Sequence, residues 1–394
     1  MNTYDWIVIG GGITGAALSY ELAQQQFSVL LIEQSATIQG ATRFSYGGIA
    51  YWSGTTELTQ QLCQEGKQRY PHLAAELGAE IHFRELDLLL TVAADRDPAT
   101  IAPSYANYAI SPHLLSVAEA CELEPLLNSE AIAGAFTVRH GQVDPEALTQ
   151  AYRQAFLRAG GTLVIDQVTG LQRQNQRVTG VSTTQQTYPA GNVVVCAGGW
   201  SRTLLAAARL SVPLYFTQAE LIETLPVDVK LQTLVMTAEM QRFQLEAQAS
   251  TAAKEQEWQE PGLEIVPWIL DAGAVQLANG SLRLGQISRV LSDPQAGVDA
   301  IASEIAIRKA VGQVLPALQN LPGQWQSCLV AFSRDRLPLI GFVPDTTGLH
   351  VFSGFSNPFA IMPPLAQRFA QAISGPADPI LEQLSPARFS AIAS

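Results

Sequence analysis

Residues 6–9, Trp-Ile-Val-Ile, are an unbroken apolar run rich in β-branched side chains, the pattern of a strand buried on both faces of a parallel sheet. Gly10-Gly11-Gly12 ends it, and Ile13, Ala16, Ala17, Tyr20 and Ala23 then recur at helical spacing. Phe27 to Ile32 reads as a second buried strand, so the chain opens with strand, glycine turn, helix and strand. A later helix is predicted after Asp144. Aspartate is a good N-cap, Pro145 suits the first helical position, Leu148, Tyr152, Ala155 and Ala159 share a face, and Gly160-Gly161 stops it. A strand over Thr162 to Val168 follows. Asn192 to Gly199, an apolar strand ending in glycines, leads into a helix start at Trp200-Ser201. Residues 83–92, 213–223 and 282–291 read as strands, and Pro363 to Ser374 as a closing helix. Met236, Met240, Phe243, Ala247 and Trp258 mark one face of a helix predicted across 236–258, a polar, Gln- and Glu-rich stretch.

Composition excludes several classes of function. No run of about 18 apolar residues is present, so no bilayer span is expected. The first strand starts with no basic segment before it, which predicts no secretory signal and a cytoplasmic protein. The formal charge of −12 is spread along the chain with no Lys/Arg cluster, which argues against a nucleic-acid partner. The four cysteines lie far apart without a Cys-x-x-Cys, and the five histidines are scattered, so neither disulfides nor a metal site are expected.

The opening unit carries the first chemistry. Gly10, Gly12 and Gly15 make G-x-G-x-x-G, with Ile13 and Thr14 between the last two. Each glycine answers a steric demand: a tight turn, close backbone approach to a pyrophosphate, and close helix-to-strand packing. The helix N-terminus then offers free N–H groups and a positive dipole end to the phosphates. Glu33, 18 residues after Gly15 and followed by Gln34, ends the second strand, where a carboxylate accepts from both ribose hydroxyls and disfavours a 2′-phosphate. Dinucleotide binding follows; FAD and NAD remain open on these residues alone.

Further along, the chain resembles the family of D-amino-acid oxidase, glycine oxidase and monomeric sarcosine oxidase, whose members oxidise amines with FAD. The likeness rests on the opening unit and on Gly40-Ala41-Thr42-Arg43-Phe44-Ser45-Tyr46-Gly47-Gly48, similar to the loop that passes the pyrophosphate and flavin ring. It continues through Glu124-Pro125-Leu126-Leu127, Gly141-Gln142-Val143-Asp144-Pro145, Asn192 to Trp200, Asp335 to Gly341 and Val351 to Ser356. The resemblance implies FAD as cofactor and an α/β fold: a Rossmann-type FAD-binding domain, discontinuous in sequence, with a second α+β antiparallel-sheet substrate domain. Residues 1–80, 140–210 and 325–394 are assigned to the first, and 81–139 with 211–324 to the second. It also implies contacts to FAD from Thr42, Arg43, Ser45, Gly47 and Gly48, from Val168 at the adenine, from Ala197, Gly198 and Trp200, and from Gly341, Gly354, Phe355, Ser356 and Asn357. The start of the closing helix is expected to face the flavin's pyrimidine end, where its dipole stabilises negative charge.

The substrate site departs from that pattern. Relatives pair the substrate carboxylate with an arginine five residues before the Asp matching Asp335, where this chain has Val330; a second arginine, used by glycine oxidase, falls on Asn357. Arg43, Arg334 and Arg289 are the replacement anchors considered first, with Arg336 and Arg283 also available. Cys328 stands where the sarcosine-oxidase branch attaches flavin covalently, but in an apolar strand it is expected to be a buried core residue beside a noncovalent flavin. The leading expectation is an FAD-dependent oxidoreductase of a small amine or amino acid with a rebuilt carboxylate site. The alternatives are a flavoprotein that has lost turnover and serves as a binding partner through the 236–258 helix, or an oxidoreductase of a different substrate.

Overall fold

The computed structural model describes residues 3–392. Its first sheet runs Leu349–Ser353, Thr187–Val195, Tyr4–Ile9, Val29–Glu33 and Thr162–Ile165, all parallel, with Leu339–Phe342 added antiparallel at one edge. The opening unit forms as its apolar pattern predicts, with helix Ile13–Gln24 between the first two strands. Tyr4–Ile9 takes the centre because it is apolar on both sides: Ile7 and Val8 are wholly buried, one in each of two separate cores. Helix Pro145–Arg158 is capped by Asp144, whose Oδ1 accepts from the backbone N–H groups of Glu146 and Ala147 at 2.9 Å, and it packs on helix Ile13–Gln24.

The second sheet has nine strands and is antiparallel except for one pair. Its order is Gly323–Ser333, Leu214–Thr224, Leu282–Leu291, Glu264–Gln276, Leu234–Thr237, Arg84–Ala93, Ile132–Gln142 and Gly48–Ile49, with His113–Leu115 also beside Ile132–Gln142. The three strands expected at 83–92, 213–223 and 282–291 all lie here. Its far face is covered by helix Ala300–Val314, which buries Ile307 and Val311.

Several expectations change. Gly323–Ser333 pairs along its full length with Leu214–Thr224, so residues 325–333 share the second sheet and not the dinucleotide-binding one. The predicted 236–258 helix does not form as one element. Leu234–Thr237 is a strand, only Gln241–Ala249 is α-helical, and short 3-10 turns follow. Met236 is drawn into the sheet by pairing with Arg84–Ala93, while Leu245, Ala249 and Trp258 pack on Tyr215 and Phe216. The strand after Gly161 stops at Ile165, and Val168 instead begins a hairpin. The closing helix starts at Pro358, five residues early, and continues through Pro363 and Pro364.

Candidate active site

The glycine turn is held by side chains on both sides. Gly10 has φ +98°, and a Cβ added there would lie 2.6 Å from the Cys196 carbonyl oxygen. At Gly15 a Cβ would fall 1.8 Å from the Gly10 oxygen, so no larger residue fits the helix-to-strand contact. Between them, Gly11 is clamped. Its N–H donates to Glu33 Oε2 at 2.6 Å, and its carbonyl accepts from buried Arg153 through Nε and Nη2 at 2.9 and 2.6 Å. Thr42 Oγ1 accepts from the Ile13 N–H at 3.1 Å, bringing the 40–44 helix to the same helix N-terminus. Bare backbone, a positive dipole end and a ribose-length carboxylate therefore converge.

One cavity opens from this turn, and a second adjoins it. One, of about 290 Å³, is lined by Ile13, Thr14, Thr42, Ser45, Gly48, Gly198, Cys328, Val330 and Gly354 to Phe359. The other, of about 390 Å³, is walled by Trp52, Tyr108, Met240 and Phe243 and carries Asp271, Asp335 and Arg336. Tyr46, His140, Met236, Arg242, Gln286 and Asn357 line both. A long, flat ligand lying against the first cavity thus presents one end to the second.

The FAD dependent oxidoreductase model matches residues 5–372 of this chain. The chain belongs to that family. Among curated relatives, glycine oxidase of Geobacillus kaustophilus is 28% identical over 244 residues, which is 59% of this chain and 65% of that one. The 4-methylaminobutanoate oxidase (formaldehyde-forming) of Paenarthrobacter nicotinovorans is 28% identical over 229 residues, 56% of this chain and 28% of that longer protein. The chain thus spans less than two thirds of these relatives. Among solved structures, glycine oxidase from Geobacillus kaustophilus superimposes with a TM-score of 0.78 over 98% of this chain and 99% of that one, at 22% identity. L-proline dehydrogenase from P. horikoshii gives 0.77 over 99% and 98%, at 20% identity. At such identity the likeness is one of fold.

The residues present fit the family's FAD. The cradle that a Cβ would fill at Gly15, the Glu33 carboxylate and the 290 Å³ cavity lie in continuous order. Of the residues expected beside FAD, Ile13, Thr14, Thr42, Ser45, Gly48, Gly198, Gly354, Phe355, Ser356 and Asn357 line that cavity, and Gly10, Gly12, Gly15 and Glu33 form the turn leading to it. Gln34 is exposed beside Glu33. Gly47, Val168, Ala197, Trp200 and Gly341 do not line either cavity, and Trp200 is exposed. The N-terminus of helix Pro358–Ser374 does face the cavity, through Pro358 and Phe359.

None of the three arginines first considered as anchors lines either cavity. Arg43 forks onto Glu223, Nη1 to Oε1 at 2.6 Å and Nη2 to Oε2 at 2.8 Å, and its Nε lies 3.1 Å from Glu146. Arg289 pairs with wholly buried Glu220 at 2.6 Å, and its guanidinium lies over Trp268. Arg334 donates to Tyr215 Oη and the Ser250 carbonyl and meets Glu255. Each stitches elements together through carboxylates that the fold brings beside it. At the two positions where the resemblance implied arginines, Val330 lines the first cavity, and Asn357 Nδ2 donates to the Ala50 carbonyl at 3.0 Å and Ser53 Oγ at 3.2 Å.

Four residues at the site carried no sequence signal. Arg153 sits mid-helix, where only the fold aims it at Gly11. His140 Nδ1 accepts from Trp52 Nε1 at 3.0 Å, which leaves the proton on Nε2, facing Gly48. Burial holds this imidazole neutral, its pKa pushed down to about 4. Tyr46 is in the quoted loop, but its role was unassigned. Arg242 was hidden inside the segment read as a polar helix.

Proposed function

We propose that this protein oxidises a small amine or amino acid by hydride transfer to FAD, with a remodelled carboxylate-anchoring site. The observation that carries the reading is the pair of cavities joined through Tyr46, His140 and Arg242, one continuous with the FAD turn and the other sized for a small substrate. Bound FAD supplies the two-electron acceptor; the chain supplies position and exclusion of water. Trp52, Tyr108, Met236, Met240 and Phe243 give the substrate cavity an apolar wall, and Arg242 and Asp271 give it charges of both signs, as an amino acid requires. Neutral His140 holds its proton on Nε2, a hydrogen-bond donor at the boundary of the two cavities. The names of the relatives, oxidases and a dehydrogenase of amines and amino acids, support the same class.

The test is anaerobic mixing of the yellow protein with primary and N-methylated amines, amino acids and hydroxy acids while following the flavin spectrum. Bleaching by a member of the amine or amino-acid set is expected. Bleaching by hydroxy acids alone, or by nothing while photoreduction stays intact, overturns the reading.

A further inference from the structure

We propose that Arg242, assisted by Tyr46, is the anion anchor of the substrate cavity. The proposal deepens the amine-oxidase reading and rests on it for the substrate class: an amine carrying one carboxylate. Both residues line both cavities, and each holds a buried polar atom without a protein hydrogen-bond partner, Nη2 of Arg242 and the hydroxyl of Tyr46. Buried donors of this kind are rare in folded proteins, and each calls for an explanation such as a catalytic role or a bound water or ion.

Arg242 is poorly explained as a helix-stabilising residue. It stands in the first turn of helix Gln241–Ala249, at the positive end of the dipole, where a cation is unfavourable. Its partner Glu246 follows at i+4, the less favourable order for such a pair. The ion pair uses Nε alone, at 2.8 Å to Glu246 Oε1; that same oxygen accepts from Thr217 Oγ1 at 3.0 Å. Nη1 and Nη2 make no protein hydrogen bond, and Glu246 Oε2 is likewise buried without a partner; the terminal edge is the fork that can grip an incoming carboxylate with two parallel hydrogen bonds. Glu246 is wholly buried and fixes the stem, so the fork is pre-oriented. Asp271 lines the same cavity and accepts from Thr237 Oγ1 at 3.1 Å. Arg336, the other arginine on the cavity, is exposed at its mouth over the Phe243 ring.

The experiment titrates the FAD-loaded protein with methoxyacetate and with neutral methoxyacetamide, read as perturbation of the flavin spectrum. The wild type is expected to prefer the anion, and Arg242→Met to bind it roughly 10- to 100-fold more weakly with the amide little changed. Tyr46→Phe should show a smaller loss in the same direction. Arg242→Met leaves Glu246 unpaired, so Arg242→Met/Glu246→Gln is measured beside it and must show the same loss; Arg334→Met must not. Anion binding that survives in the folded double variant overturns the anchor, whatever the amine panel shows. Anion binding lost with Arg242 while no amine bleaches the flavin keeps the anchor and overturns amine oxidation instead.

Discussion

The hydroxyl of Tyr70 donates to the carbonyl oxygen of Phe359 at 2.7 Å, and that carbonyl is the one Pro363 leaves without a helical partner. One turn earlier on helix Glu57–Leu77, Gly66 meets the next freed carbonyl, that of Ala360, so closely that a Cβ would lie 1.8 Å from it. The closing helix survives two internal prolines because another helix serves its carbonyls. Tyr70→Phe is therefore expected to destabilise the protein by about 1–3 kcal/mol, the cost of a buried orphan acceptor. Because Phe359 lines the flavin-side cavity, the variant should also shift the flavin spectrum. An unchanged thermal midpoint would show that water or a helix distortion meets Phe359 instead.

Gly15→Ala and Glu33→Gln should both lower FAD occupancy, by separable routes. The first places a methyl into the Gly10 carbonyl and should reduce folded yield as well as flavin content. The second leaves the fold intact, since an amide oxygen still accepts from Gly11, but it removes a charged acceptor for the ribose and should weaken FAD roughly 10- to 100-fold. Flavin content per folded protein, measured after desalting, separates the two; full occupancy in both would place the nucleotide elsewhere.

Cys328 faces Ala219 across the second sheet and lines the flavin-side cavity, yet burial pushes its thiol up to about 12. Covalent attachment of flavin to sulfur needs thiolate character. Acid precipitation is expected to leave the yellow colour in the supernatant, and Cys328→Ser to retain FAD. A yellow pellet that turns colourless in Cys328→Ser would reverse this.

His350 packs among Trp6, Phe342 and Phe369 with both ring nitrogens unpaired, and burial pushes its pKa down from 6.5 to about 4. Between those values the unfolded chain binds the extra proton, so stability is complete above the window and is lost as pH falls through it. At pH 5 this one group costs roughly 2 kcal/mol, and His140 adds to the same acid limb. His350→Leu should shrink the drop in unfolding temperature between pH 8 and pH 5 without altering FAD content. An equal drop in both proteins would assign the acid limb to other groups.

The sequence by itself determined the elements whose signals are local. Buried stretches 6–9 and 193–196 are apolar on both faces, Gly10, Gly12 and Gly15 answer steric demands within one turn, and Asp144-Pro145 caps its own helix; none of these needs a distant partner to be read. Tertiary structure decided what depended on pairing across the chain. Met236, read as the start of a helix, lies instead in a strand because Arg84–Ala93 offered an edge, and Pro358–Ser374 passed through two prolines because Tyr70 and Gly66 accommodate their freed carbonyls. The arginines show the same division most clearly. Arg43, Arg289 and Arg334 look as available in sequence as Arg242, but the partners that occupy the first three stand 180, 69 and 79 residues away. Arg242 also pairs, with Glu246 four residues on, but through Nε alone; whether a guanidinium keeps an edge facing a cavity is settled by which carboxylates the fold brings within hydrogen-bond reach.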